Sequence, residues 1–247
     1  MVKSSLGIIG GMGPKAGVTF LENVMDKTDA NSDAQHIETY LLSNTRVPDR
    51  TAAIKAGEFD EVFEELLRSV RGLESLGVSN IVMACNTAHH WLPALQKVTS
   101  VPIIDMLDET AKHIKAKSSG KNSRVGILAT DGVISTGLYD RALAKHGLTP
   151  VTPNSKLQEK AMEIIYDQVK KTGVGNLDDF KELTRQFVAE GNLDFVVLGC
   201  TEFSYFSKNF DLPEMFVEAM DVATKTAIEQ SGYKYKGSQA GRERTRK

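Results

Sequence analysis

Two cysteines are the residues of this chain whose type and placing could carry out chemistry. Cys85 and Cys200 each follow a short apolar run, and small hydroxyl, amide or acidic residues come directly after each of them. Two cysteines are too few for a disulfide scaffold, so each is expected to be a free thiol. A free cysteine is often only a small core residue, but the equivalent placing of both favours a chemical role.

A pair of thiols on opposite sides of one carbon atom can invert its configuration. One thiolate removes the α-proton, and the opposite thiol donates a proton from the other face. An ordinary thiol has a pKa of about 8.5, so the site must stabilise the charged form on one cysteine at a time. The candidates for this tuning are Asn86 and Thr87 beside one thiol, and Thr201 and Glu202 beside the other. Nothing in the sequence marks a Schiff-base lysine for pyridoxal phosphate, so we expect no cofactor.

Short apolar runs alternate with helical patterns along the chain, and this alternation favours parallel sheets covered on both faces. Strands are predicted at 6–9, 80–84, 101–104, 124–129 and 194–198, and helices from Pro14 and at 60–76, 105–117, 137–146, 156–172, 177–190 and 214–230. Ligands of open parallel sheets bind beyond the carboxyl ends of the strands. Both cysteines lie there, near predicted helix N-termini, whose dipoles would favour thiolates.

The sequence also contains an internal repeat. Residues 6–9 are similar to residues 125–128, 119 positions later, and residues 81–87 are similar to 196–201, 115 positions later. The nearly equal offsets predict two similar α/β halves, with one cysteine in each half.

Composition excludes several classes of protein. The 247 residues are 41% apolar, and 30 basic against 32 acidic residues give a net charge of −2, so neither disorder nor nucleic-acid binding is indicated. No apolar run is long enough to span a membrane, and no secretory signal is recognisable, so a cytoplasmic location is expected. Residues 232–247 carry six basic and one acidic side chain, and we expect a mobile tail there.

Four motifs in order resemble the aspartate/glutamate racemase superfamily, most closely its aspartate racemase branch. They are the Gly-Gly-Met-Gly-Pro loop at 10–14, Arg-Val-Pro-Asp-Arg-Thr at 46–51, Ala-Cys-Asn-Thr-Ala-His at 84–89 and Leu-Gly-Cys-Thr-Glu-Phe at 198–203. The resemblance implies an α/β fold of two pseudo-symmetric domains, each a mostly parallel sheet flanked by helices, with the active site in the cleft between them. We expect residues 1–105 and 212–247 to form one domain, and 106–211 the other.

The resemblance also implies a function, namely a cofactor-independent racemase that interconverts L- and D-aspartate, or a related acidic amino acid. Such an enzyme is usually a homodimer. Cys85 and Cys200 match the paired acid/base thiols, Arg50 matches the arginine that binds the side-chain carboxylate, and Lys170 matches a lysine that aids it. Residues matching the substrate cavity are Met12, Asn86, Thr87, Thr130, Thr201 and Glu202. Glutamate racemases usually have histidine in place of Glu202, which counts against glutamate.

The physical chemistry of arginine agrees with this assignment, because a guanidinium binds a carboxylate through two parallel hydrogen bonds. Arg46 is the second choice for this role. Two other readings of the thiols stay open, namely a broad-specificity amino-acid racemase and a cysteine-nucleophile amidase or hydrolase whose base is His89 or His90. A binding protein without turnover is a further alternative. The spacing of these histidines and cysteines does not fit a closed zinc site, so no metal is expected.

Overall fold

Two parallel sheets of four strands form the framework of the computed structural model, which describes residues 4–118 and 122–237. The first sheet contains β1 (Leu6–Gly10), β2 (Thr39–Ser43), β3 (Asn80–Met83) and β4 (Ile103–Ile104), in the order β2-β1-β3-β4. The second contains β5 (Arg124–Leu128), β6 (Thr149–Val151), β7 (Phe195–Leu198) and β8 (Phe216–Glu218), in the order β6-β5-β7-β8. The matching order confirms the prediction of two similar halves.

Helices cover both faces of each sheet. Those of the first half are α1 (Pro14–Lys27), α2 (Arg50–Ala56), α3 (Asp60–Ser75), α4 (Leu92–Gln96) and α5 (Met106–Lys117). Those of the second half are α6 (Asp131–Ser135), α7 (Leu138–Lys145), α8 (Ser155–Glu163), α9 (Leu177–Gly191), α10 (Ser204–Asn209) and α11 (Ala219–Gln230). Side-chain caps define where several helices begin. The carboxylates of Asp49 and Asp105 accept hydrogen bonds from backbone N–H groups in the first turns of α2 and α5.

One apolar core joins the two halves. The inner faces of both sheets contribute to it, with Ile8 from β1 and Ile127 from β5, and α5, α7 and α11 fill the space between them. The outer face of the first sheet packs on α3, and that of the second packs on α8 and α9. Successive strand residues therefore serve different cores, as Ile8 and the following Ile9 do.

Equivalent glycines allow a helix to lie close to the central strand of each sheet. A Cβ atom at Gly7 of β1 would stand 2.9 Å from Leu73 of α3. A Cβ atom at Gly126 of β5 would stand 2.7 Å from Phe187 of α9. Because the two glycines are 119 positions apart, the sequence repeat is also a repeat of helix-on-sheet packing.

The predicted helix at 214–230 is wrong in its first residues. Residues 216–218 form β8, which pairs with β7, and α11 begins at Ala219. β8 belongs to the second sheet, whereas residues 212–247 were expected in the first domain; the division into domains stays a prediction. The apolar run Met215-Phe216-Val217 fits a strand or a helix equally well, and the open edge of β7 decides for the strand. Strands β2 and β6 and helix α2 were not predicted.

The predicted mobile tail falls partly outside the described residues, which end at 237. Before that point the chain pairs with the end of α1: Asp29 donates its N–H to the carbonyl of Lys234 at 2.8 Å, and Lys236 donates to Lys27 at 2.9 Å. Residues 232–237 are thus held in place. Among the helices of the described residues, none combines the length and the apolar character needed to cross a membrane.

The loop after β1 depends on a glycine. Gly11 has a φ of 93°, and a Cβ atom there would lie 2.3 Å from the backbone of Asn44, whereas Gly57, with a φ of 74°, has nothing within 4 Å. We expect Gly11→Ala to lower the free energy of unfolding by about 3 kcal/mol, and Gly57→Ala by only about 1 kcal/mol. Urea unfolding measures both, and equal losses would contradict the close approach at Asn44.

Candidate active site

A cavity lies at the carboxyl ends of the central strands of both sheets. Met12, Cys85, Thr130 and Cys200 line it, and each is the second residue after the end of its strand: β1, β3, β5 and β7 respectively. The parallel topology thus places one cysteine from each half at the same cavity. Both thiols are nearly buried, with 6% of Cys85 and 7% of Cys200 exposed.

The structure brings all of the predicted site residues to this one cavity. They are Met12, Arg50, Cys85, Asn86, Thr87, Thr130, Lys170, Cys200, Thr201 and Glu202. Sequence reasoning missed Asp49, Thr51 and Tyr166, which also line the cavity. A signal was available for them, because two directly flank Arg50 in its motif and Tyr166 lies four residues before Lys170. Arg46, the second choice for binding a carboxylate, is exposed and lies outside the cavity lining.

Cys200 is held as a neutral thiol. Its Sγ donates a hydrogen bond to Oε2 of Glu202 at 2.8 Å, and both side chains are buried. Burial raises the pKa of the Cys200 thiol well above its usual value, the negative charge of Glu202 raises it further, and the cation of Lys170 acts in the opposite direction. In the resting protein Cys200 therefore carries a proton that it can donate.

Cys85 faces a buried cation. Arg50 is the first residue of α2, and its guanidinium donates to the carbonyl oxygens of Pro48 at 2.9 Å and of Met12 at 3.2 Å. Burial disfavours its charge, but attraction to Cys85 and Asp49 outweighs burial and raises the pKa of Arg50. Cys85 therefore lies beside a permanent positive charge. The Nε–H of Arg50 is buried without a hydrogen-bond partner, so one donor remains for an anionic ligand.

Short turns follow the two thiols, which were expected near helix N-termini. A 3-10 turn at Thr87–His90 comes after Cys85, and a 3-10 turn at Thr201–Phe203 leads from Cys200 into the six-residue α10. The macrodipole of such short segments is small. Helix dipoles therefore contribute little at the two thiols.

The second cation of the cavity is Lys170. It ends a π-helical segment, Ile164–Lys170, a rare geometry that is frequent at functional sites. Its Nζ lies 3.9 Å above the ring of Tyr166 and 3.9 Å from Oδ2 of Asp49, and the hydroxyl of Tyr166 donates to the same oxygen at 3.2 Å. Burial opposes the charge of Lys170, but Glu202 and Cys200 outweigh it and raise the pKa of the ammonium group.

The histidines after Cys85 have structural roles. Nε2 of His89 accepts the N–H of Met106 at 3.2 Å, so Nδ1 carries the proton and donates to the carbonyl of Cys85 at 2.9 Å. Burial lowers the pKa of His89, which keeps the ring neutral. His90 stacks on Phe59 with ring centroids 5.2 Å apart, and neither histidine lines the cavity. The base that the hydrolase reading requires is therefore not in position.

Comparison with known proteins agrees with this geometry. The Asp/Glu/Hydantoin racemase family model matches residues 9–227. The chain belongs to the Asp/Glu/hydantoin racemase family. The match covers every residue that lines the cavity, so the site lies within the family domain.

Three similar proteins represent this racemase family. The chain is 28% identical over 146 residues to the broad specificity amino-acid racemase of Bacillus subtilis, covering 58% of this chain and 61%, about three fifths, of that relative. It is 27% identical over 214 residues to the glutamate racemase of Buchnera aphidicola, covering 83% and 77% of the two chains. The solved aspartate racemase of Picrophilus torridus superposes with a TM-score of 0.77 at 29% identity, covering 94% of this chain and 96% of that one.

The contact between Cys200 and Glu202 yields a prediction about thiol reactivity in this racemase-family protein. Glu202→Gln removes a negative charge, so the pKa of Cys200 falls and its alkylation by iodoacetamide at pH 8 accelerates about tenfold for each unit of decrease. The rate is measured in a Cys85→Ser background, where Cys200 is the single cysteine of the chain. Glu22→Gln, at an exposed carboxylate paired with Lys208, is the control. An unchanged or slower reaction of the Glu202 variant would contradict the assignment.

Proposed function

We propose that this protein is a cofactor-independent racemase that interconverts L- and D-aspartate, or a related acidic amino acid, by proton transfer between two thiols. The observation that carries the proposal is the pair of unlike thiols at one cavity. Cys85 lies beside the guanidinium of Arg50, and Cys200 donates a hydrogen bond to Glu202. A cation beside one thiol and a carboxylate beside the other suit a base and an acid that act on one substrate.

Each direction of the reaction uses both thiols. The Cys85 thiolate removes the α-proton of the bound amino acid, and the Cys200 thiol protonates the carbanion from the opposite face. The reaction leaves a thiol at Cys85 and a thiolate at Cys200, and the cation of Lys170 stabilises that thiolate. The other enantiomer uses the same groups in reverse. Transfer between positioned groups of this kind contributes about 10²–10⁴-fold to a rate.

The preference for an acidic amino acid rests on the two cations of the cavity. The unpartnered Nε–H of Arg50 and the ammonium of Lys170 are positioned to neutralise a carboxylate. Asn86 and Thr87, which also line the cavity, then bind the α-carboxylate. The Picrophilus torridus protein, which is similar along 94% of this chain, is an aspartate racemase, and this likeness supports aspartate over glutamate.

A broad-specificity amino-acid racemase is the second candidate. It is favoured by the similarity to the Bacillus subtilis protein of that description. Both candidates use the same pair of thiols, and they differ in how strictly the cations select the substrate. A cytoplasmic location and independence of cofactors remain predictions from the sequence, and a homodimeric assembly remains a prediction from the family resemblance.

The substrate is tested with a panel of L-amino acids incubated without added cofactor and analysed by chiral chromatography. We expect D-aspartate to form faster than the mirror image of any neutral amino acid, because only a dicarboxylate uses the cations of Arg50 and Lys170. In deuterium oxide, either enantiomer of aspartate acquires label at the α-carbon. Equal rates for neutral amino acids would favour the broad-specificity candidate, and no racemisation of any amino acid would exclude both.

The two-thiol mechanism is tested by Cys85→Ser and Cys200→Ser. A serine hydroxyl is too weak an acid to replace a thiol, so each variant should lose racemisation by about a thousandfold. Each variant can still exchange the α-proton of one enantiomer with deuterium, because one base remains. His90→Gln, at a side chain outside the cavity, should retain activity, whereas the hydrolase reading expects a loss. If both cysteine variants racemise at the normal rate, the mechanism is wrong.

A further inference from the structure

Asn86 has a hydrogen-bond donor without a partner at the cavity. Only 3% of this residue is exposed, and it directly follows Cys85. Its Oδ1 accepts a hydrogen bond of 2.6 Å from the hydroxyl of Tyr139, while its Nδ2 is buried and has no hydrogen-bond partner. Buried donors are normally paired, so an unpaired amide on the wall of a binding cavity indicates a group reserved for a ligand.

Tyr139 reaches this amide from the other half of the molecule. It lies on α7, is fully buried, and is not part of the cavity lining. Its ring packs against Gly199, where a Cβ atom would lie 2.9 Å from Cε2 of the tyrosine. One side chain therefore contacts the residue after Cys85 through its hydroxyl and the residue before Cys200 through its ring. Burial raises the pKa of Tyr139, so its hydroxyl keeps the proton that it donates.

We propose that Tyr139 is a positioning residue for the proposed racemase activity, which it presupposes: its hydroxyl holds the Asn86 amide so that Nδ2 donates to a carboxylate oxygen of the substrate. The amide has one acceptor and one donor end. Because the hydroxyl occupies the acceptor, the donor end remains for the cavity. Without the hydroxyl the amide is free to turn, and its oxygen then faces an anionic carboxylate and repels it.

Tyr139→Phe tests this role, because it keeps the ring against Gly199 and removes only the hydroxyl. We expect KM for L-aspartate to rise about tenfold, the effect of losing one hydrogen bond, with kcat nearly unchanged. A merely structural defect would lower the active fraction and therefore kcat. Tyr40→Phe, which removes a hydroxyl that donates to Glu38 away from the cavity, is the matched control and should leave both constants unchanged.

Dependence on Asn86 is tested by a double-mutant cycle. Asn86→Ala should raise KM by at least as much as Tyr139→Phe, and the combined variant should be no worse than Asn86→Ala alone, because the tyrosine acts through the amide. Asn86→Asp keeps an acceptor for Tyr139 but has no donor, so it should bind aspartate more weakly still. The proposal is overturned if the losses of the two single variants add in the combined variant. It is also overturned if Asn86→Asp binds aspartate as tightly as the unmodified protein does. The Asn86 variants also decide the question if Tyr139→Phe does not fold.

Binding without turnover separates this inference from the proposed function. In a background with Cys85→Ser and Cys200→Ser, calorimetry measures the Kd for L-aspartate directly, and Tyr139→Phe should raise it about tenfold. If the natural chain neither binds nor racemises aspartate, the proposed function has failed. If the natural chain racemises aspartate and Tyr139→Phe leaves both KM and Kd unchanged, only the positioning role of Tyr139 is wrong.

Discussion

Two thiols share one buried cavity, and their charged neighbours have opposite signs. In a poorly solvated site a nearby charge acts more strongly than it does in water. Glu202 accepts a hydrogen bond of 2.8 Å from the thiol of Cys200, while Arg50 places a positive charge beside Cys85. The loops, caps and packing of the molecule serve to hold these groups in place, since small displacements would weaken the interactions on which the difference depends.

This difference is built on a nearly symmetric scaffold. Both sheets have the same strand order, and each half provides a cysteine at the second position after a central strand. Each half also provides a cation after its edge strand: Arg50 follows β2, and Lys170 follows β6. The carboxylate of Glu202 breaks the symmetry, because the corresponding residue after Cys85 is Thr87. The thiols are placed symmetrically, and the charges around them are unequal. This arrangement suits a reaction in which two groups on opposite faces of the substrate exchange the roles of acid and base.

Contacts between the halves hold the cavity together. The Oγ1 atoms of Thr87 and Thr130 lie 3.0 Å apart across the site, and Tyr166 of the second half donates to Asp49 of the first. Tyr139 adds a third link through Asn86. Nδ1 of His89 donates a hydrogen bond to the carbonyl of Cys85. The loop after Cys85 is therefore supported by hydrogen bonds between neutral groups.

The sequence alone predicted two similar halves, because each half repeats the same apolar runs. It also predicted a thiol at one strand end of each half, because strand patterns and parallel topology can be recognised locally. Family motifs indicated Arg50 and Lys170. Only the tertiary structure decided that residues 216–218 form a strand, that Arg50 rather than Arg46 reaches the cavity, and that His89 is structural. It also revealed the Tyr139–Asn86 and Tyr166–Asp49 contacts, which join residues 53 and 117 positions apart. Local spacing carries no information about such pairs, because the packing of one half on the other creates them.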